Sequence, residues 1–205
     1  MQTRAKKYLT PEEYLAIERA AEYKSEYFGG EMFPLAGTRR PGSAMTVDRE
    51  LHNVIVANIA SELSDRSCKV YLSDVRIASS FDLDTHPDVV AVWGDPVFDD
   101  GLRTALLNPT LIFEVLSPAT EAYDRGAKFE HYRRIESLRE YVLVAQDHAH
   151  VERYQRLEDA RWLLSDVNGL DSVLLLDSIG CELPLAEIYH KVDFPGHYPD
   201  VGPAS

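Results

Sequence analysis

A strand–helix–strand pattern between residues 111 and 146 is the feature that most constrains the fold of this 205-residue chain. The segments TLIFEVLS and REYVLVAQD are apolar enough to predict strands, and EAYDRGAKFEHYRRI between them has a helical period. A connection of this length lets the two strands lie parallel in one sheet while the helix crosses over it. We therefore expect an α/β or α+β fold, in which helices flank a mixed β-sheet.

The sequence on either side of this unit predicts further helices and strands. Thr10-Pro11-Glu12-Glu13 is a capping box with proline at the first helical position, which predicts a helix over about residues 11–23. Gly29-Gly30 predicts the turn of a hairpin in EYFGGEMF, and residues 47–65 have the apolar spacing of a helix. The remaining predictions are strands in CKVYLSDVRIASSF, PDVVAVWG and DSVLLLDSIG, a hairpin in VERYQRLEDARWLLSDV turning near Glu158-Asp159, and a short closing helix in LPLAEIYHKV. We expect the two hairpins to be additions to this fold in the N- and C-terminal parts of the chain.

The chain shows neither an internal repeat nor a linker between two domains. We expect one domain over residues 1–193 and a loose tail over residues 194–205, which contain three prolines and two glycines. No apolar run approaches the length of a membrane span, and the N-terminus lacks the apolar region of a secretory signal. Cys68 and Cys181 have no CxxC neighbour and are expected to be buried free thiols. These features predict a cytoplasmic protein that does not enter a membrane.

The formal net charge of −13 argues against general binding to polyanions. The charge is unevenly distributed, because residues 121–140 hold five Lys or Arg and five Asp or Glu, whereas residues 141–205 hold four and eleven. A nucleic-acid partner would therefore have to bind through a local surface that is shielded from the acidic remainder.

Glu114 is an acid inside the apolar segment LIFEVLSP, where an unpaired carboxylate would be costly to bury. Asp88 opens PDVVAVWG, a predicted strand that can pair with the first. Two carboxylates that meet repel each other unless a cation lies between them, and their hard oxygen atoms suit Mg²⁺ or Mn²⁺. Such an ion activates water and stabilises charge on a phosphoryl oxygen, and Lys128 could add a positive charge there.

Three segments carry a specific resemblance: HPDVVAV, SEYFGGEMFPLAGT and NPTLIFEVLSPATEAYDRGAKFEHYRRIESLREYVLV. They resemble the Uma-type family of restriction-endonuclease-like proteins, a branch of the PD-(D/E)XK nuclease superfamily. The resemblance runs from about Tyr8 to Val192, and its most specific part is EVLSP followed by YDRG and the lysine-containing helix. It implies a restriction-endonuclease-like fold and hydrolysis of phosphodiester bonds.

The resemblance also implies a set of site residues. Asp88 and Glu114 would be metal ligands, and the backbone carbonyl of Val115 would be a third. The lysine of the superfamily pattern would fall two residues after the acid, where this chain has Leu116. In families of this type the lysine lies on the following helix, which matches Lys128.

Two further residues match positions that are typical of the family. Glu26, before the Gly-Gly turn, would be an accessory acid that binds metal or water. His52, on the second helix, would contact a phosphate or relay a proton. Asp74 and Asp124 also match the family pattern, but the resemblance implies no role for them.

Each of these candidate residues also has a purely structural interpretation. Glu114 could pair with an arginine such as Arg76, and Asp88 could cap a turn after Pro87. Three candidates could equally lie at or near the surface: Lys128 as a solvated residue paired with Asp124, Glu26 as a surface charge, and His52 as a surface or core-edge histidine.

The function predicted from the sequence is a Mg²⁺- or Mn²⁺-dependent endonuclease that acts on DNA rather than RNA. We expect a homodimer, for which the β-rich C-terminal end is the candidate interface. The alternative is a catalytically weak or inactive protein that binds nucleic acid or regulates while keeping the nuclease fold. A third interpretation is hydrolysis of RNA or of a nucleotide.

Overall fold

The computed structural model describes residues 8–21, 25–34, 47–73, 75–79, 83–99 and 105–194. The predicted loop AGTRRPGS, Asp74 and residues 195–205 lie outside this part of the chain. The elements follow in the order α1 (Pro11–Ala20), β1 (Ser25–Phe28), β2 (Glu31–Pro34), α2 (Val47–Ser64), β3 (Cys68–Leu72), β4 (Arg76–Ser79), β5 (Leu83–Thr85), β6 (Val89–Trp93), β7 (Ala105–Leu106), β8 (Leu111–Leu116), α3 (Glu121–Tyr123), a π-helical segment (Asp124–Lys128), α4 (Phe129–Tyr132), β9 (Glu140–Ala145), β10 (His150–Arg156), β11 (Trp162–Asn168), β12 (Val173–Leu176), a 3₁₀ turn (Asp177–Ile179), β13 (Cys181–Pro184) and α5 (Leu185–Ile188).

A six-stranded mixed sheet forms the centre of the fold, with strand order β11-β10-β9-β8-β6-β3. β8 and β9 are parallel, as the strand–helix–strand pattern predicted, and every residue of both strands is buried. Strands buried on both faces read as continuous apolar runs, which explains why TLIFEVLS and REYVLVAQD were recognisable. The predicted hairpin β10–β11 extends the sheet by antiparallel pairing.

The N-terminal hairpin belongs to a second, five-stranded sheet with strand order β2-β1-β5-β4-β7. Its turn is the predicted Gly29-Gly30, whose φ angles are 53° and 88°. Positive φ at both central residues of a two-residue turn is the geometry that glycine allows without strain. The capping box at Thr10 is also present and begins α1 as predicted.

Helices cover both faces of the six-stranded sheet, which confirms the predicted mixed α/β architecture. On one face, Ile55, Ile59 and Leu63 of α2 join the cluster that also contains β12, β13 and α5. On the other face, Tyr132 of α4 and the apolar residues after it pack on β6, β8 and β9. The polar groups around Glu114 lie within this second face.

The C-terminal part differs from the prediction in one respect. Cys181–Pro184 is a strand, β13, which pairs with β12, and the closing helix begins only after Pro184. Alternating burial along β13 places Cys181 and Leu183 in the core, and this pairing with β12 was not visible as a local pattern. The ring of Phe194 lies 5.2 Å from that of Tyr189, and the domain boundary near this residue stays a prediction.

Both cysteines are free, as expected, although Cys68 is only partly buried. Within the described residues, no helix is both long and apolar enough to span a membrane.

Candidate active site

Asp88 and Glu114 come together at the point where β6 begins beside β8. The two strands are antiparallel with Val89 opposite Phe113, so one further step of this register places Asp88 opposite Glu114. Residues opposite each other in a sheet share one face, and both carboxylates therefore lie on the face covered by α4. The strand adjacency expected from the sequence is confirmed.

The backbone of Val115 faces the carboxylate of Asp88. The Val115 N–H donates a hydrogen bond to Asp88 Oδ2 over 2.8 Å. The N–H and C=O groups of one strand residue point toward the same neighbouring strand, so the Val115 carbonyl also points toward the side of Asp88. The Asp88 carboxylate and the Val115 carbonyl thus offer oxygen ligands on the same side of β8.

Glu114 is buried, and its charge is balanced by a lysine rather than by an arginine. Glu114 Oε1 lies 2.8 Å from Lys128 Nζ and accepts a hydrogen bond of 3.2 Å from the Tyr132 hydroxyl. Arg76 instead pairs with Asp84 at 2.5 Å, so the interpretation of Glu114 as its partner is wrong. Burial raises the pKa of Glu114 well above its usual value, and the Lys128 charge opposes this rise.

Lys128 is the centre of the cluster. Its Nζ lies 3.2 Å from Glu26 Oε1 and 3.5 Å from Asp124 Oδ1, in addition to the contact with Glu114. The pair with Asp124 was anticipated, but the side chain is buried, so a solvated lysine is wrong. Burial alone would lower the pKa of Lys128, whereas the carboxylates of Glu114 and Glu26 raise it well above its usual value. The group is therefore held as an ammonium.

A π-helical segment positions the lysine. Asp124–Lys128 adopts π geometry between α3 and α4, and both of its terminal side chains point into the cluster. The carbonyl of Asp124 accepts a hydrogen bond of 3.0 Å from the Tyr141 hydroxyl, which ties the segment to β9. Short π segments inside helices occur often at functional sites, and the sequence did not reveal this one.

Glu26 reaches the same cluster from the other sheet. It lies on β1, its exposed fraction is 1%, and its Oε1 accepts a hydrogen bond of 3.3 Å from the backbone N–H of His86. The interpretation of Glu26 as a surface charge is therefore wrong. His86 is itself buried beside β5.

His52 extends the cluster on the side of Asp88. Its Nε2 lies 3.2 Å from Asp88 Oδ2, and the ring is partly buried on α2. Burial alone would lower the pKa of His52, but the hydrogen bond and the charge of Asp88 raise it above its usual value. Asp88 thus accepts a hydrogen bond from the backbone of β8 and contacts this histidine. These contacts lie outside the turn that follows Pro87, so capping that turn does not account for them.

The cluster has more acidic than basic side chains, so a bound cation would balance its negative charge. Within the described part of the chain, four carboxylates face one lysine and one partly buried histidine; the acids are Glu26, Asp88, Glu114 and Asp124. Burial raises the pKa of Asp124 as it does that of Glu114, and the charge of Asp88 adds to both rises. Oxygen-rich, negatively charged donor sets of this kind fit Mg²⁺ or Mn²⁺.

Two members of the cluster were not singled out from the sequence for a role, Tyr132 and Asp124. Tyr132 lies four residues after Lys128 and so shares its helix face, which was the signal available. Leu116, at the position of the superfamily lysine, is buried in the apolar cluster with Ile112 and Leu143.

A mixed sheet with a parallel central pair, helices on both faces and an acid–acid–lysine cluster defines a restriction-endonuclease-like protein. Residues 11–186 match the Uma2 family, described as "Putative restriction endonuclease". The chain belongs to this family.

Similar proteins agree with this assignment. Two uncharacterized proteins of Synechocystis sp., sll1609 and slr1290, are 36% and 34% identical to the chain, and the alignments cover 80% and 91% of it and 89% and 94% of the relatives. The crystal structure of a "putative nuclease belonging to DUF820" from Anabaena variabilis superposes with a TM-score of 0.67 over 88% of this chain and 97% of that one. At 18% identity, this last likeness shows the fold alone.

Proposed function

We propose that this protein is a Mg²⁺- or Mn²⁺-dependent endonuclease that hydrolyses phosphodiester bonds of DNA. The observation that carries the proposal is the meeting of Asp88 and Glu114 on adjacent strands, with the Lys128 ammonium 2.8 Å from Glu114. Membership of the family described as "Putative restriction endonuclease" supports the same activity.

The oxygen atoms of Asp88, Glu114 and the Val115 carbonyl would hold the cation. When bound, such an ion lowers the pKa of a water molecule and neutralises charge on a phosphoryl oxygen. The hydrogen bond from Val115 N–H fixes one oxygen of Asp88, and the Tyr132 hydroxyl fixes one oxygen of Glu114. Both carboxylates are thereby oriented before any ligand binds, which reduces the cost of ordering them.

Lys128 would stabilise negative charge that develops on the phosphate during attack. A preorganised ammonium in a buried site is worth more than one in water, because the surrounding dielectric constant is low. Glu26 keeps this ammonium in place from the opposite sheet. His52 holds Asp88 and is placed to pass a proton between the site and solvent.

A groove beside α4 is the proposed contact for the nucleic acid. It has a volume of about 770 Å³ and is lined by Phe129, Arg133, Arg134, Tyr154, Arg156, Trp162 and neighbouring residues. The Arg156 guanidinium lies 4.8 Å from the centre of the Trp162 ring. Arginines bind phosphates and aromatic rings stack on bases, so this local surface fits nucleic acid in a chain whose net charge is −13.

Plasmid nicking with Mg²⁺ or Mn²⁺ tests the activity. The parent protein should nick supercoiled DNA, and Asp88→Asn and Glu114→Gln should each lose the activity while remaining folded. Equal nicking by all three proteins, or none by the parent with any divalent metal, would contradict the proposal. Replacing the plasmid with an RNA of matched length tests RNA hydrolysis in the same assay.

One observation favours the alternative of a nucleic-acid-binding protein with little activity. The Lys128–Glu114 pair neutralises one carboxylate without any added cation, as a structural ion pair would. In that case, gel-shift experiments would show binding to DNA, and no divalent metal would produce nicks. The homodimer stays a prediction, which the molar mass from light scattering would test.

A further inference from the structure

We propose that His150, Glu152 and Asp166 form a second divalent-metal site, of the zinc-binding type, on the hairpin β10–β11. The site is separate from the candidate active site, and it does not depend on the proposed nuclease function. Its ligands are one imidazole nitrogen and two carboxylates, a mixed set that suits Zn²⁺ better than Mg²⁺.

The three side chains already have the spacing of metal ligands. His150 Nε2 lies 3.3 Å from Glu152 Oε1 and 3.8 Å from Asp166 Oδ1, and the three ligand atoms all lie within 4.8 Å of one another. Ligands bound tetrahedrally to Zn²⁺ at about 2.0–2.2 Å are about 3.4 Å apart. Small side-chain adjustments would therefore close the site.

The strand register brings the two acids together. Glu152 is directly opposite Asp166 in the antiparallel pair, and His150 lies two residues earlier on the same face. Like charges that face each other across a strand pair are unfavourable. The Arg125 guanidinium already pairs with Glu152, and a metal ion between the two carboxylates would remove the repulsion that remains with Asp166.

His150 presents its ring for binding. Its Nδ1 lies 2.7 Å from the Asn168 side-chain oxygen, which can only accept a hydrogen bond, so Nδ1 carries the proton. The other ring nitrogen, Nε2, faces the two carboxylates. Metal-binding histidines are commonly held in this way by a second hydrogen bond.

Arg125 and solvent border the proposed metal site. Arg125 donates a hydrogen bond to Glu152 Oε1, and hydrogen bonds of this kind orient carboxylates that bind metal. The side chain of Asp166 is 55% exposed, so an ion can enter from solvent and retain a water molecule as its fourth ligand.

One strand, β9, lies between this site and Glu114. Leu143 on β9 is paired with Glu114 on one side and with Glu152 on the other. Two strand spacings amount to about 9.6 Å, whereas the ions of a two-metal centre are about 3.5–4 Å apart. The two sites therefore cannot share an ion.

Titration with Zn²⁺, and with Co²⁺ as its coloured substitute, tests the proposal. The parent should show the visible spectrum of tetrahedral Co²⁺, which distinguishes this site from an ion held by oxygen ligands at Asp88 and Glu114. Asp166→Asn and His150→Gln should each lose that spectrum and weaken Zn²⁺ binding by about tenfold or more. Asp159→Asn, which removes an exposed acid at the other end of the same hairpin, is the matched control and should bind like the parent.

If the parent shows no tetrahedral Co²⁺ spectrum, or if both variants titrate like the parent, the three residues form only a network of polar side chains. Mg²⁺-dependent nicking by Asp166→Asn should equal that of the parent. Failure of the proposed metal site and failure of the proposed nuclease function are thus distinguishable.

Discussion

Lys128 and Glu114 form a buried ion pair, with Nζ and Oε1 2.8 Å apart, although the two residues lie on a π-helical segment and on a central strand. Glu26 adds a second carboxylate from the other sheet at 3.2 Å. The ammonium therefore connects three elements, of which β1 is distant in the sequence from the other two, and removing it should affect both stability and metal binding.

Lys128→Met should lower the free energy of unfolding by about 3–5 kcal/mol, because it leaves buried carboxylates without their counter-charge. Urea denaturation in the presence of EDTA measures this change. Lys69→Met, at an exposed position of β3, is the control and should have a small effect. Equal destabilisation by both variants would mean that the buried ion pair contributes little.

Mn²⁺ should raise the melting temperature of the parent, because a ligand that binds only the folded state stabilises that state. The free energy of unfolding rises by about 2.7 kcal/mol when the ligand concentration is 100 times the dissociation constant. Asp88→Asn and Glu114→Gln should each reduce this rise. Thermal denaturation with and without Mn²⁺ measures it, and Glu136→Gln at an exposed position is the control. A rise that is unchanged in both site variants would place the ion elsewhere.

Single-stranded DNA should quench the fluorescence of Trp162 if the groove beside α4 binds nucleic acid. The chain has two tryptophans, so Trp93→Phe leaves Trp162 as the reporter. Arg133→Glu in this background should weaken binding, because it reverses a charge that makes no ion pair within the described residues and lines the groove.

The control for this experiment is Arg66→Glu, a reversal of an exposed charge that does not line the groove. EDTA keeps the DNA intact during the titration. If Trp162 fluorescence stays constant while a gel shift shows DNA binding, the nucleic acid occupies another surface.

The sequence predicted the parts of this fold that local patterns encode. Continuous apolar runs identify β8 and β9, and glycine at both turn positions identifies the β1–β2 hairpin. The burial of Glu26 could not be read in this way, because it results from contact with Lys128, 102 positions later. A charged residue in a polar segment normally predicts a surface position, and only the tertiary fold reverses that expectation.

The π-helical segment and β13 were missed for a related reason. The helical period of EAYDRGAKFEHYRRI does not distinguish α from π geometry over five residues. The segment is set by tertiary contacts, such as the bond from Tyr141 to the carbonyl of Asp124. Likewise, Cys181–Pro184 becomes a strand only through its pairing with β12.

His131 should make the stability of the protein depend on pH. The ring is buried, stacks on Phe28 with centroids 3.5 Å apart, and has its pKa lowered from 6.5 by burial and by the charge of Arg134. The unfolded chain therefore binds a proton at a higher pH than the folded protein does. The contribution of His131 to the free energy of unfolding is fully present above pH 6.5. It is lost as the pH falls from 6.5 through the lower pKa of His131 in the folded protein.

Urea denaturation between pH 5 and 8 tests this prediction. Between pH 8 and 5, the stability of the parent relative to that of His131→Gln should decrease as the pH falls, because the other titrating groups are common to both proteins. His148→Gln, which removes an exposed histidine, is the control and should follow the parent. If the free energies of unfolding of the parent and of His131→Gln change in parallel with pH, the Phe28–His131 contact tolerates the charged ring. Other groups would then determine how stability depends on acidic pH.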